Sequence, residues 1–390
     1  MNIEKIQEYL GEHDLDGWLL ADFHGRNIIA VEMLNLTGLV TRRSFYYIPT
    51  IGDPVGLVHA IEKDKFYGLP GKITAYSGYQ ELEKNLSRLL GEASRVAMEY
   101  SAQGRLPYIG LVDAGTVELV RDTGVEVVSS ANLVAYFQAA LSVEQIATHR
   151  MAARNLIEIK DKAFALIREK LESRHELREY DVVAFILDRF REYDMVTSSN
   201  PICAVDGNAG SPHYEPTAER SAVIQRGHLI LIDLWAKLEQ PDAVYGDITW
   251  MAFSGTKAEI PAKHAELFEI IARGRDAAIE HIRRNIETKP VRGADVDDIC
   301  RGVITEAGYG EYFSHRTGHS ITTSEHGPGP NIDNLETEDG RKLRKGHLFS
   351  IEPGIYMDDC GLRTEIDMLI GYDGAEVTTL PLQTEITALW

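Results

Sequence analysis

An aspartate inside an apolar strand is costly unless something answers its charge. This chain has two such strands in succession. One carries Asp233 in LIDLW and the next carries Asp247 in YGDIT. The stretch between them, KLEQPDAV, has the residues of a turn, so the strands read as a hairpin. A hairpin brings two carboxylates to one point without help from distant parts of the chain. Taken singly, each aspartate would serve equally well as a turn cap at a strand end. The pattern then repeats. Glu352 in FSIEPGIY lies in an apolar strand before a Pro-Gly turn, and Glu365 in GLRTEIDMLI lies in the returning strand. Either glutamate alone would also suit an ion pair with Arg363 or Arg316.

Between the two pairs comes His319, in SHRTGHSITTSEHGPGP. The glycine before it permits close backbone approach. Four carboxylates and one imidazole can hold two divalent cations, and this donor set suits Mn, Co, Fe or Zn. Without cations, four converging carboxylates would repel one another strongly. His315 and His326 flank His319, and His213 lies in SPHYEP on a proline-bounded loop. Such loops hold side chains rigidly, as a catalytic residue requires.

At 390 residues the chain exceeds the roughly 250–300 at which one core stops growing, so two domains are expected. Its apolar share of 44% and charged share of 26% are those of a soluble globular protein. The net charge of −20 disfavours nucleic acid and anionic membrane as partners. The amino-terminal MNIEKIQEYLGEHDLDG lacks the apolar run of a signal peptide, and no stretch is apolar enough for a membrane span. Cys203, Cys300 and Cys360 are scattered and form no CxxC pair. They read as buried thiols in a reducing, cytoplasmic setting.

Residues 1–135 alternate helical and strand patterns, which predicts an α/β domain without evident chemistry. Helices are expected over 3–10 and 82–90, and strands over 17–21, 45–49, 95–100 and 125–129. A long helix starts at Ser142, whose spacing to Gln145 is that of a capping box, and its position suggests a connector between domains. A second helix covers 177–193. The two aspartate strands follow, then helices over 258–284 and 296–307, then strands from 348 to 380.

These motifs together resemble the pita-bread metallopeptidases, a family that includes methionine aminopeptidase, aminopeptidase P, prolidase and the metal-free creatinase. The resemblance implies a creatinase-like α/β domain over 1–140 and an α+β pita-bread catalytic domain over 141–390. MLNLTG resembles an early motif of the prolidase and aminopeptidase P branch. By this resemblance Asp233 chelates one divalent ion, His319 and Glu352 complete the other, and Asp247 and Glu365 bridge them. His213 and His326 match histidines that contact the substrate carbonyl and the tetrahedral intermediate, and Glu352 relays the proton. His315 and Arg363 match residues of the proline-specific members. Arg363 could orient a ligand carboxylate or meet a substrate carboxy-terminus.

The implied activity is hydrolysis of Xaa-Pro dipeptides, or of peptides beginning Xaa-Pro, by a hydroxide shared between two metals. Dipeptidase and aminopeptidase both remain open. The implied partners are a peptide substrate and a second copy of the chain in a homodimer. Three positions depart from the family pattern. Trp235 stands where a small residue is usual, Trp250 where arginine is common, and Gly327 where an acidic residue is common. Both tryptophans are therefore expected to alter the pocket, with Trp235 and His315 as a wall for the proline ring. A creatinase-like amidinohydrolase and a non-catalytic binding protein are the alternatives. Neither has need of the complete ligand set that this chain retains.

Overall fold

Caps and turn residues set where the elements begin. The Asn2 side chain accepts the Lys5 N–H and starts α1 (Ile3–Glu12), and Asn27 does the same for α2 (Ile28–Met33). The computed structural model describes Met1–Trp390, and the chain divides into two units, Met1–Gln138 and Ala139–Trp390.

The first unit is built on strands β1 (Gly17–Asp22), β2 (Ser44–Pro49), β3 (Val55–His59), β4 (Lys72–Tyr76), β5 (Arg95–Met98) and β6 (Glu126–Ser129). They form one sheet in the order β4-β3-β2-β1-β5-β6. The pairs β1–β2 and β2–β3 are antiparallel and the others parallel. Helices α3 (Tyr79–Leu90), α4 (Ala114–Arg121) and α5 (Ala131–Gln138) complete it. Strand alternation gives each face its own core: Leu19 and Ala21 pack on one side, Trp18 and Leu20 on the other.

In the second unit α6 (Val143–Glu172) begins at the Ser142–Gln145 capping box, and α7 (Glu179–Glu192) follows. The long helix is not the connector its position suggested. It lies wholly within this unit, where Ala152, Leu156, Ile159 and Ala163 bury against the strands. Strands β7 (Met195–Val196), β8 (Ile202–Val205), β9 (Leu229–Leu238) and β10 (Gly246–Phe253) come next, then α8 (Ala262–Asn285) and α9 (Gly293–Glu306). The rest is β11 (Ser320–Ile321), β12 (Leu348–Ile351), β13 (Gly354–Tyr356), β14 (Gly361–Arg363), β15 (Ile366–Gly371), β16 (Gly374–Val377) and β17 (Thr387–Ala388). One sheet runs β17-β10-β9-β7 with β8 also on β9, a second runs β11-β12-β15-β16, and β13 pairs β14. This is the pita-bread fold expected for residues 141–390. No helix is long and apolar enough to cross a membrane.

The β9–β10 hairpin separates two cores. Ile230, Ile232, Leu234, Ile248 and Trp250 face α6 and α7. Leu229, Leu231, Met251 and Phe253 share the other core with α8, α9, β12 and β15. Asp233 pairs Thr249 and Trp235 pairs Asp247, so these four side chains share the second face. Trp250 pairs Ile232 and points the opposite way, with the Lys160 ammonium 3.7 Å from its ring centroid. The expectation that Trp250 alters the pocket is therefore corrected. The period-2 pleat buries it against α6.

Candidate metal centre

The hairpin supplies Asp233 and Asp247, and two turns supply the remaining carboxylates. Glu352 follows β12 and Glu365 precedes β15, and β12 pairs β15. His319 enters from the segment before β11, which pairs β12. A Cβ on Gly318 would stand 1.9 Å from the Ser350 carbonyl oxygen, so only glycine lets the two segments lie this close. The Ser350 hydroxyl accepts the His319 N–H at 2.9 Å and donates to Glu352 Oε1 at 3.2 Å.

One ligand atom each from Asp247, His319 and Glu365 lies within 4.8 Å of the others. His319 Nε2 is 3.5 Å from both Asp247 Oδ2 and Glu352 Oε1. Thr249 Oγ1 donates to Glu365 Oε2 at 2.7 Å. Asp233 borders this group and is paired with Arg363.

The charges fit a site made for cations. Burial first, then the Glu365 and Asp233 charges, raises Asp247 well above the carboxylate range. Burial and then Glu352 do the same to Glu365. Burial raises Asp233 in spite of Arg363, and lifts Glu352 to about 7. Burial, followed by His326 and Arg316, pushes His319 well below the usual imidazole value. Asp233 Oδ1 and Asp247 Oδ1 are buried without any hydrogen-bond partner. Two orphaned carboxylate oxygens in a charged, buried cluster are what bound cations would satisfy. Oxygen donors with one imidazole fit divalent metal ions.

A pH dependence follows. These carboxylates have folded-state pKa values above those of the unfolded chain. Their contribution to the metal-free fold is fully present at acid pH and is lost as pH rises through the raised values. Metal binding must displace the carboxylate protons, whereas His319 is already neutral. The manganese-induced rise in Tm should therefore be small at pH 5 and large at pH 8, as read by differential scanning calorimetry. Equal rises at both values would contradict this electrostatic account.

A row of buried polar groups borders the cluster. Arg363 donates through Nη2 to Asp233, through Nε to Thr249 Oγ1 at 3.0 Å and through Nη1 to the Tyr356 hydroxyl at 3.0 Å. The Tyr356 O–H donates to His315 Nε2 at 2.7 Å, and His315 Nδ1–H donates to the Arg316 carbonyl at 2.7 Å. Burial, then the Arg363 charge, holds His315 down to about 3, so its ring is neutral. All three Arg363 nitrogens are engaged. Helix α9 fixes the segment from His315 to His319: Asp297 accepts the Thr317 N–H and hydroxyl at 3.0 and 2.6 Å, and Arg301 donates to the His315 carbonyl at 2.8 Å.

Three more expected site residues stand around the ligands. The His326 ring lies 4.3 Å from that of His319, with its side chain more than half exposed. Trp235 shares the Asp233 face and donates its indole N–H to Ser198 Oγ at 3.2 Å. His213 sits on an exposed loop, outside the ligand cluster, but its charge reaches both Asp233 and His326.

The base of that loop is gripped by Glu179, a fully buried carboxylate on the first turn of α7. It accepts from Val205 N at 2.8 Å, Asn208 Nδ2 at 2.9 Å, the Tyr214 hydroxyl at 2.6 Å and Ala222 N at 2.7 Å. Glu179→Ala would strand these donors. The expected loss is about 3–5 kcal/mol in urea unfolding. A loss below about 1 kcal/mol would contradict the clamp.

Sequence reasoning missed Glu179, Thr249, Tyr356 and Asp367. The Asp367 carboxylate accepts the Asp247 backbone N–H at 2.9 Å, and its Oδ1 is buried without a partner. Alternation offered a signal for two of them. Thr249 lies two residues after Asp247 and Asp367 two after Glu365. Nothing local marks Glu179, whose partners are distant in the chain, and Tyr356 shows its role only once His315, 41 residues away, is brought beside it.

Known proteins share this organisation. An uncharacterised peptidase of Staphylococcus epidermidis is 26% identical over 341 residues, covering 85% of this chain and 86% of its own. The Xaa-Pro dipeptidase of Bacillus anthracis superposes with a TM-score of 0.65 at 20% identity, over 99% of this chain and 98% of that one. The X-prolyl aminopeptidase of Caenorhabditis elegans, described as a cytosolic enzyme with a di-nuclear active site, gives 0.66 at 17% identity, over 98% of this chain and 62% of that one. At these identities the two structures speak for the fold alone. The family model of the M24 metallopeptidases matches residues 151–371, which contain all five expected ligands and the β9–β10 hairpin. The chain belongs to metallopeptidase family M24.

Proposed function

We propose that this chain hydrolyses the amide bond before proline, in Xaa-Pro dipeptides or at the amino end of longer Xaa-Pro peptides. The observation that carries this reading is the buried convergence of Asp247, His319 and Glu365, with Glu352 and Asp233 beside them. Asp233, Asp247, His319, Glu352 and Glu365 would together hold two divalent ions. When bound, such ions polarise a carbonyl oxygen and acidify water.

The chain's own groups do the rest. As water adds to the scissile carbonyl carbon, Glu352, held by Ser350 at the edge of the cluster, accepts its proton at the carboxylate and returns it to the proline nitrogen as the C–N bond breaks. His326 offers an N–H to the carbonyl oxygen as negative charge develops there. His213, on its Glu179-gripped loop, assists. The Arg363–Tyr356–His315 row holds Asp233 in orientation. An Xaa-Pro bond has no amide N–H to grip, so the site must read ring shape. His315 and Trp235 form that wall. The printed activities of the structural neighbours, Xaa-Pro dipeptidase and X-prolyl aminopeptidase, support the same reading.

The test is hydrolysis of Ala-Pro, Gly-Pro, Ala-Pro-Ala, Met-Ala-Ser and creatine after loading with Mn, Co or Zn. Metal-dependent cleavage of Ala-Pro alone is the result for a dipeptidase, and preference for Ala-Pro-Ala that for an aminopeptidase. Cleavage of Met-Ala-Ser in preference to every proline peptide, or turnover of creatine alone, would overturn the reading.

A further inference from the structure

One carboxylate beside the centre has no part in the scheme above. Glu325 directly precedes His326, and its side chain is 17% exposed. Its Oε1 lies 3.8 Å from His326 Nδ1, the His326 ring lies 4.3 Å from that of His319, and the Glu325 charge helps to raise Asp247, so it stands close to the ligand group. The Ser198 hydroxyl donates to its Oε2, and Ser198 Oγ in turn accepts the Trp235 indole N–H at 3.2 Å. The Tyr245 hydroxyl also reaches Ser198. A single serine thus ties the carboxylate to two aromatic side chains, one of them the expected proline wall.

Glu325 lacks a resident cation. The one basic group within ion-pair distance is His326, whose Nδ1 lies 3.8 Å from Oε1. That nitrogen is beyond hydrogen-bond distance and the His326 side chain is more than half exposed, so it does not hold the carboxylate. Lys237 is nearby but gives its ammonium to the Thr323 carbonyl at 2.6 Å. A fixed, partly desolvated carboxylate next to aromatic rings is well suited to a positively charged nitrogen.

We propose that Glu325 recognises a positively charged nitrogen on the substrate's amino-terminal residue. That nitrogen is either the α-ammonium or the side-chain cation of a lysine or arginine. The proposal rests on the peptidase reading and adds the charge preference of that same site. Glu325→Gln keeps an oxygen for Ser198 and nearly the same shape while removing the charge.

The experiment is calorimetric binding to the manganese-loaded full chain, using two ligand pairs. Ala-Pro against propionyl-proline differs by the α-ammonium. Lys-Pro against its Nε-acetyl form differs by the side-chain charge. In the native chain the charged member of at least one pair should bind about ten- to a hundredfold more tightly, and Glu325→Gln should erase that difference. The pair affected identifies the nitrogen. Ser198→Ala keeps the charge but frees the carboxylate. It should lose part of the preference, and it covers the case in which Glu325→Gln fails to fold. An unchanged preference in both variants, or no preference in the native chain, overturns the assignment. Hydrolysis is followed in the same samples. Discrimination by charge without hydrolysis of any Xaa-Pro peptide would refute the activity and leave Glu325 assigned, and hydrolysis without discrimination would do the reverse.

Discussion

Asp247→Asn is expected to abolish peptide hydrolysis and to reduce metal occupancy at both positions of the centre. Asp247 lies at the meeting point of the site. Its Oδ2 is 3.5 Å from His319 Nε2, its Oδ1 is buried and unpartnered, and its backbone N–H is fixed by Asp367. Asparagine has the same shape but only one acceptor oxygen, and it carries no charge. In the proposed arrangement it removes half of a bridge. The same change removes a carboxylate that the Glu365 and Asp233 charges repel, so the metal-free protein should not lose stability. Lost activity with lost metal and an unchanged or higher metal-free Tm is the expected set of results. Full activity with two bound metals would contradict the dinuclear arrangement.

His326→Ala should separate metal binding from catalysis. The imidazole is neutral at pH 7 and more than half exposed, and it stacks edge-on to His319 without entering the cluster of ligand atoms. Its removal leaves the cation site intact. A donor that acts on a developing oxyanion is worth about 10²–10³ in kcat. The expected result is a fall of that order with unchanged metal content and a modest change in KM. A loss of metal would instead make His326 a ligand.

Much of this centre was legible before any coordinates. Asp233 and Asp247 were marked by ionisable residues in apolar strands, and β9 and β10 formed the hairpin predicted from KLEQPDAV. The capping box at Ser142 set the start of α6 within one residue, because a cap is a local device. Pro261 moved the start of α8 to Ala262, four residues past the expected position, since its ring ends the preceding turn. Strands β3 and β4 are not legible in the sequence. In β4, KITAY is mostly half-buried at the sheet edge and lacks a clear apolar alternation. Trp250 was misjudged because its nearness in sequence to Asp247 hides a parity difference that sends it to the α6 face. The supports of the site were the least visible. Glu179 meets Tyr214 and Ala222 across the loop, and Arg363 meets Asp233 across 130 positions. Only the assembled fold sets such partners side by side.

The most direct test is to count metal ions per chain while following Xaa-Pro hydrolysis. Metal-free protein would be titrated with manganese, with bound metal read by mass spectrometry and activity on Ala-Pro and Ala-Pro-Ala read at each step. The account predicts two ions per chain at saturation, no activity without metal, and activity that rises with occupancy. Hydrolysis that persists in metal-free protein, or a chain that saturates with fewer than two ions and is fully active, would contradict it.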